Sequence, residues 1–162
     1  MSIAFTGDAR MNWVVFTACL AACAAPALSG MMFKPGSWYA GLTKPWWTPP
    51  NWIFPVVWLI LYVSMSVAAA RVAVTPAGAM LLSLWATQIA FNTLWSGVFF
   101  GLKDIRAGLF VMAALWVSVL VATVAFWQAD IFAGALFSLY LTWITVAFAL
   151  NFSVWSRNSQ TA

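Results

Sequence analysis

Two side-chain amides and two aromatic rings recur at helical spacing within one long apolar stretch. Gln88, Asn92, Trp95 and Phe99 follow a 4-3-4 spacing, which places them on one face of a helix. Inside a membrane, such amides either orient a ligand, with Asn92 fixing its polar edge, or bond to a neighbouring helix. An interhelical bond of this kind contributes about 0.6–2 kcal/mol. The spacing alone leaves both interpretations open.

Aromatic side chains mark two further apolar stretches. Trp58 and Tyr62 lie one turn apart, deeper in their stretch than an anchor at the membrane surface needs to be. Tyr140, Trp143 and Ala147 share one helical face through a 3-4 spacing. Three such faces would enclose a cavity for a flat, largely apolar ligand with a polar rim. Core packing is the alternative for Trp58.

The chain contains no histidine. This absence removes the usual general base, the commonest metal ligand and the usual axial ligand of haem. No apolar stretch carries a charge near its middle, whereas ion-coupled carriers usually keep one there. We therefore expect no metal site, no obligatory cofactor and no active transport, and any catalysis would have to use the chemistry of the ligand.

The composition indicates an integral membrane protein. Hydrophobic residues make up 65% of the chain and charged residues only 6%, whereas soluble domains carry about 25% charged residues. A soluble globule could not be covered by so little polar surface. The net charge of +4 then predicts contact with anionic membrane lipid and no role in binding nucleic acid.

These stretches predict an all-α membrane protein, a bundle of five transmembrane helices in a single domain over 1–162. A helix needs about 20 apolar residues to cross the hydrocarbon. Charges and prolines divide the chain into helices at about 12–32, 51–73, 78–101, 106–128 and 131–155. Only the first connection is long.

That connection, residues 33–50, is predicted to form a structured lid. The run W-Y-A-G-L-T-K-P-W-W-T-P-P-N-W at 38–52 contains four tryptophans and three prolines. Proline fixes φ and removes a hydrogen-bond donor, so the run should resist becoming helical. Tryptophan suits a membrane surface or the mouth of a cavity.

The positive charges predict the orientation. With five spans, one side of the membrane holds Arg10 and Arg71, and the other holds Lys34, Lys44, Lys103, Arg106 and Arg157. Because positive charge concentrates on the cytoplasmic side, the lid and the C-terminus should be cytoplasmic and the N-terminus outside. The sequence does not distinguish a bacterial inner membrane from an outer one.

Small residues form a second stripe on the third predicted helix, opposite its amides. Such a stripe permits close helix approach, either in a homodimer or against a neighbouring helix of the same chain. The stripe consists of Ala86, Ala90, Thr93, Gly97 and Gly101.

The chain resembles the TspO family of translocator proteins, also called peripheral benzodiazepine receptors, over roughly 12–157. Its most specific match is W-Y-x-x-L-x-K-P-x-W-x-P-P-x-W at 38–52, followed by P-x-x-W at 55–58. Further matches are Q-x-A-x-N-x-x-W at 88–95, F-F-G at 99–101, Y-L-x-W at 140–143 and L-N at 150–151.

The resemblance implies a five-helix bundle, often homodimeric, with a pocket beneath the loop between helices one and two. Family members bind porphyrins such as protoporphyrin IX, haem-related tetrapyrroles and benzodiazepine-site ligands. The matching positions imply ligand-binding roles for Trp38, Trp46, Trp47, Trp58, Asn92, Trp95, Trp143, Ala147 and Leu150. The resemblance also favours the small-residue stripe as the homodimer interface.

Three functions are compatible with these residues. The leading hypothesis is a membrane receptor, sensor or carrier for porphyrins, which is not an enzyme. The second is light-dependent porphyrin degradation, for which Trp58 and Trp143 are the catalytic candidates. The third is a scaffold or regulator that acts through dimerisation. Sterol binding should be weak, because Phe152 replaces the tyrosine of the family's sterol motif and Arg157 falls one position later.

Overall fold

The computed structural model describes residues 11–159, and every regular element in that range is helical. Arg10, which contributed to the predicted orientation, lies outside the described residues. The elements are α1 (Trp13–Ala22), α2 (Ala24–Met32), α3 (Ser37–Gly41), α4 (Ile53–Val72), α5 (Gly78–Ser96), a π-helical segment (Gly97–Gly101), α6 (Ile105–Ala129) and α7 (Ile131–Asn158).

Four helical stretches in the described part of the chain are long and apolar enough to cross a membrane. They are Trp13–Met32, Ile53–Val72, Ile105–Ala129 and Ile131–Asn158. The fifth predicted span corresponds to α5, which is helical but less apolar. Its amides Gln88 and Asn92 lower its hydropathy, so length and composition alone do not identify it as a span.

The first span is divided, where one continuous helix over about 12–32 was expected. Pro26 has no backbone N–H and its ring crowds the carbonyl four residues earlier, and α1 ends at that residue, Ala22. The two pieces then pack on different neighbours, α1 on α4 and α2 on α5. Asn12 donates its backbone N–H to the Ala70 carbonyl (3.3 Å), and Ser29 donates its hydroxyl to the Thr93 carbonyl (2.8 Å).

The turn between α6 and α7 is tied to the end of α4. The Asp130 carboxylate caps α7 by accepting from the Ala133 N–H at 2.7 Å. It also accepts two hydrogen bonds from the Arg71 guanidinium, at 2.9 and 2.7 Å. The Arg71 bond, supported by the backbone bond, lowers the pKa of Asp130 despite its partial burial.

The end of the bundle that holds this ion pair is densely packed, and we call it the dense half. It contains large, fully buried side chains, among them Met65, Leu81, Phe126, Phe137 and Tyr140. The four long helices α4 to α7 all run from this half into the opposite one, which we call the hollow half because it contains a cavity.

The lid differs from its prediction near its start. Residues Ser37–Gly41 form one turn of helix, although the tryptophan- and proline-rich run was expected to resist helix formation. The first proline of that run is Pro45, so residues 37–41 precede the constraint. The Lys44 ammonium then caps α3 by donating to the Tyr39 and Leu42 carbonyls at 2.7 and 2.9 Å.

The π-helical segment replaces the expected last turn of α5. The Leu102 N–H bonds to the Gly97 carbonyl at 2.9 Å, five residues back. A Cβ on Gly101 would lie only 2.8 Å from the Phe33 ring, and one on Gly97 would lie 3.5 Å from it. The two glycines therefore provide a flat seat for Phe33, which holds the start of the lid against the bundle.

Candidate ligand cavity

A cavity of about 630 Å³ occupies the hollow half, between α2, α4, α5, α6, α7 and the lid. This volume falls within the range of about 300–1,000 Å³ that is typical of ligand sites. In this half, α2 packs on α5 and not on α4. The space that remains between α2 and α4 is part of the cavity. The division of the first span near Cys23 thus sets the size of the site.

Six of the nine predicted ligand-binding residues line this cavity. They come from three helices, as the periodicity of the sequence required. They are Trp58, Asn92, Trp95, Trp143, Ala147 and Leu150.

Asn92 is the most informative of the six. Its side chain is only 5% exposed and lies close to the Tyr140 hydroxyl, yet its Nδ2 makes no well-formed hydrogen bond with the described residues. A buried amide without a partner costs about 1–3 kcal/mol. A ligand acceptor that reached this nitrogen would remove that cost.

Gln88, one turn earlier on the same face, behaves differently. Its Oε1 accepts from the Tyr140 hydroxyl at 2.9 Å, and its Nε2 donates to the Met65 sulfur at 3.7 Å. The two interpretations of the amide face therefore apply to different residues. Gln88 forms hydrogen bonds to neighbouring helices, whereas Asn92 lines the cavity.

Trp95 is held in place against the cavity by two neighbours. Its indole N–H donates to Asn151 Oδ1 at 3.3 Å, and its ring stacks on Phe99 with centroids 5.2 Å apart. Asn151 is fixed in turn by donating to the Ala147 carbonyl at 3.1 Å. Trp95 consequently offers an oriented apolar ring while its polar atom is satisfied by protein.

Trp58 and Trp143 also line the cavity. Trp58 stacks on Tyr62 with centroids 5.4 Å apart, and Trp143 meets the edge of Phe54 at 5.7 Å. The Trp58 ring is also 6.2 Å from that of Tyr140. The cavity thus has aromatic surface from three helices, which suits a planar ligand.

The structure does not bring the other three predicted residues, the lid tryptophans, into the cavity wall. Trp38 packs its ring on the edge of Phe99 at 5.8 Å, behind the wall. Trp46 is 93% exposed, and Trp47 is also exposed. Both occupy the centre of a turn that the Thr48 N–H closes on the Pro45 carbonyl at 3.1 Å, and this turn directs them away from the cavity.

Several lining residues escaped the sequence analysis. On α2 they are Pro26, Ala27 and Gly30, and in the lid they include Lys34 and Tyr39. Pro26 and Gly30 lie four residues apart in a helix, so a search for small residues on one face would have found them. Burial raises the pKa of the Tyr39 phenol, which therefore stays protonated at the cavity.

The small-residue stripe of α5 is divided between two environments. Its second part contacts the same chain, because Thr93 accepts the Ser29 bond and Gly97 and Gly101 seat Phe33. Ala86 and Ala90 are exposed instead. Thr93, Gly97 and Gly101 therefore pack against another segment of the same chain, as one of the two interpretations of the stripe proposed.

The fold and the cavity define an all-helical integral membrane protein with a ligand-sized site between its helices. Comparison with known families agrees: the chain belongs to the TspO/MBR family, whose model matches residues 13–156.

Related proteins span bacteria and animals. The chain is 47% identical to the tryptophan-rich sensory protein of Cereibacter sphaeroides, over 92% of this chain and 94% of the relative. It is 48% identical to protein CrtK of Rhodobacter capsulatus, over 91% and 95% of the two chains. It is 33% identical to the translocator protein of Homo sapiens, over 75% of each.

Proposed function

We propose that this protein is a membrane receptor, sensor or carrier that binds porphyrins, such as protoporphyrin IX, and benzodiazepine-site ligands in the cavity of the hollow half. One observation carries the proposal: Asn92, whose buried Nδ2 makes no well-formed hydrogen bond with the described residues, lines a cavity together with Trp58, Trp95 and Trp143. The relatives' names, sensory protein and translocator protein, support the same assignment.

The chemistry of the wall favours a planar ligand held without a metal bond. A tetrapyrrole offers a flat apolar face for the indole rings and carboxylate oxygens at its rim that can accept from an amide. Porphyrin would be a ligand here and not a resident cofactor. Sensing and carriage both need this cavity, and they differ only in the fate of the ligand after binding.

Binding is tested by titrating the purified protein with protoporphyrin IX in the dark and following the porphyrin Soret band. Saturable binding to the wild-type protein, weakened by Trp58→Phe, is expected. Trp13→Phe serves as the matched control, because Trp13 is exposed at the start of α1, far from the cavity. Non-saturable uptake that is equal in all three proteins would indicate partitioning into lipid or detergent and would refute the proposal.

We infer that α5 and its π-helical segment form a fifth span, with the N-terminus outside and the lid and C-terminus cytoplasmic. The inference is supported by Lys34, Lys44, Lys103, Arg106 and Arg157, which would share one side against Arg71. Val74→Cys and Lys103→Cys flank α5, so an impermeant maleimide should label only Val74→Cys in intact cells. Labelling of both from outside would remove α5 from the spans.

Light-dependent oxidation of porphyrin is the second candidate function. The supporting observation is that Trp58 lines the cavity and lies against both Tyr62 and Tyr140, so oxidisable rings adjoin the ligand position. Dioxygen would be the oxidant and porphyrin the reductant. Illumination should then bleach the Soret band faster with the wild-type protein than with Trp58→Phe or Trp143→Phe at equal occupancy. Equal rates in all three proteins would leave binding as the function.

We also propose a homodimer, in which the exposed Ala86 and Ala90 form the contact. Small residues allow two helices to approach closely in lipid. Ala90→Trp should convert the dimer to a monomer, and Val117→Trp, which places the same side chain on the exposed face of α6, should not. An unchanged mass for Ala90→Trp would exclude this face, and with it a scaffold function through it.

Membrane lipid is the proposed partner of the outward faces, and sterol binding is proposed to be weak. Phe152, at the sterol-motif position, is exposed on α7 and offers no hydroxyl. Cholesterol in nanodiscs should therefore leave the unfolding temperature unchanged. A saturable rise in that temperature would contradict this expectation.

A further inference from the structure

The cavity is open on one side, between α2 and α4. Met31 and Leu59 both line it, and yet they are 63% and 66% exposed. Both residues lie in helices that are long and apolar enough to span a membrane. An apolar molecule could therefore reach the cavity sideways, from the hydrocarbon, with its long axis between the two helices.

One charged side chain stands at this opening. Among the described residues that line the cavity, Lys34 is the only charged one, and Pro35 and Asn51 line the cavity as well. The backbone at Lys34 is held in place, because the preceding residue, Phe33, packs on Gly97 and Gly101. The lysine is thus attached to a fixed point at the mouth.

The ammonium group of Lys34 is available to a ligand. Within residues 11–159, Lys34 has no hydrogen bond or ion pair. The two acidic residues of that range are engaged elsewhere: Asp104 caps α6, and Asp130 caps α7 and pairs with Arg71. Lys44, the other lysine of the lid, donates to carbonyls of its own segment.

We propose that Lys34 binds the carboxylate of the ligand and makes the cavity selective for flat apolar molecules that carry an acidic group at one end. The apolar body lies among the indole rings, its acceptor meets Asn92 at depth, and its acid meets Lys34 at the mouth. The proposal rests on the proposed function and adds the residue that recognises the charge. The phosphate of an anionic lipid offers the same chemistry and is the alternative source of the anion.

The test compares two probes that share one macrocycle, protoporphyrin IX with its two free carboxylates and its uncharged dimethyl ester, in nanodiscs of zwitterionic phosphatidylcholine. The measured quantity is the ratio of their dissociation constants, in which differences in membrane partitioning cancel between protein variants. An exposed ion pair typically contributes up to about 1 kcal/mol, so Lys34→Gln should reduce the preference for the diacid by about twofold to fivefold. Affinity for the ester should not change.

Two control variants separate Lys34 from general electrostatics. Arg106→Gln removes a positive charge from the start of α6, outside the cavity, and should leave the ratio as in the wild-type protein. Lys34→Arg keeps the charge and should keep the preference. A ratio unchanged by Lys34→Gln, or lowered equally by Arg106→Gln, would overturn the proposal.

Repeating the titrations with phosphatidylglycerol in the nanodiscs identifies the source of the anion. An unchanged difference between the wild-type protein and Lys34→Gln supports the ligand carboxylate. A difference that phosphatidylglycerol abolishes would assign Lys34 to lipid phosphate and overturn the carboxylate assignment. Saturable ester binding without any preference for the acid contradicts the role of Lys34 alone, whereas no saturable binding of either probe contradicts the proposed function itself.

Discussion

The dense and hollow halves of the bundle share the four long helices α4 to α7, but their buried polar groups differ in their hydrogen bonding. In the dense half, Gln88 is fully buried and both of its amide atoms bond to protein. In the hollow half, Asn92 is 5% exposed and lines the cavity, and its Nδ2 makes no well-formed hydrogen bond with the described residues. One helical turn separates a structural amide from one available to a ligand.

The path of the first span explains this difference. In the dense half, α1 packs on α4 and completes the core around Met65 and Phe137. Beyond the break near Pro26, α2 packs on α5 instead, and no helix fills the space beside Trp58. Pro26 lacks a backbone N–H, and the helix break that accompanies it lets the first span change its packing partner. The half of the bundle beyond this break is the one that contains the cavity.

The largest expected effect contrasts one phenylalanine from each half. Phe137→Ala should destabilise the protein by roughly 3 kcal/mol, because its fully buried ring touches protein on all sides. Phe54→Ala should cost clearly less, since the Phe54 ring already faces empty space. Unfolding temperatures in one detergent test the contrast, and equal losses would mean that the halves are packed alike.

An intermediate effect is expected from replacing the two amides by leucine. Gln88→Leu leaves the buried Tyr140 hydroxyl without its acceptor and should cost about 1–3 kcal/mol. Asn92→Leu removes a group that has no partner at Nδ2, so the ligand-free protein should be equally or more stable. Thermal unfolding without porphyrin measures both changes. A loss for Asn92→Leu as large as that for Gln88→Leu would show that Asn92 also serves the fold.

The smallest effect concerns the ion pair at the end of the dense half. Asp130→Asn keeps a side chain that can cap α7 but loses the pairing with Arg71, which should cost about 0.5–1 kcal/mol at neutral pH. Its counterpart in the hollow half is Lys34→Gln, which should leave stability unchanged because Lys34 pairs with no described residue. Denaturation of the two variants side by side tests the contrast, and it would fail if both lost stability equally.

The same pair gives a pH dependence. Because Arg71 lowers the pKa of Asp130, the ion pair stabilises the folded protein fully at a pH above the ordinary carboxyl pKa of 3.8. This stabilisation is lost as the pH falls through the lower pKa that Asp130 has in the folded state. The chain has only three acidic residues, so few other groups mask the change. The wild-type protein should lose stability below this pH more steeply than Asp130→Asn, and parallel acid-unfolding curves would contradict the assignment.

Periodicity predicted much of the wall of the cavity, because each helix carries its part of the site on one face. Trp58, Asn92 and Trp143 could be selected from spacing together with the family resemblance, without knowing how the helices meet. The different roles of Gln88 and Asn92 could not be predicted, since they depend on which partner lies across the bundle. Tyr140 reaches Gln88, and the cavity adjoins Asn92.

The lid and the first span show where local patterns fail. The tryptophans at 46 and 47 match a family motif, but a turn at Pro45 directs them outward. Gly97 and Gly101 indicate a close approach, yet the sequence does not reveal that Phe33 of the same chain makes it. Such features depend on tertiary packing, which residue spacing does not reveal.

The most direct test of the account is a dark titration of Asn92→Leu with protoporphyrin IX, beside the wild-type protein and Gln88→Leu, under conditions in which all three are folded. If the Asn92 amide serves the ligand, its loss should weaken binding by about 1–2 kcal/mol, or roughly fivefold to thirtyfold in dissociation constant, while Gln88→Leu binds as the wild-type protein does. Unchanged affinity for Asn92→Leu would contradict the claim that the hollow half keeps this amide for a ligand.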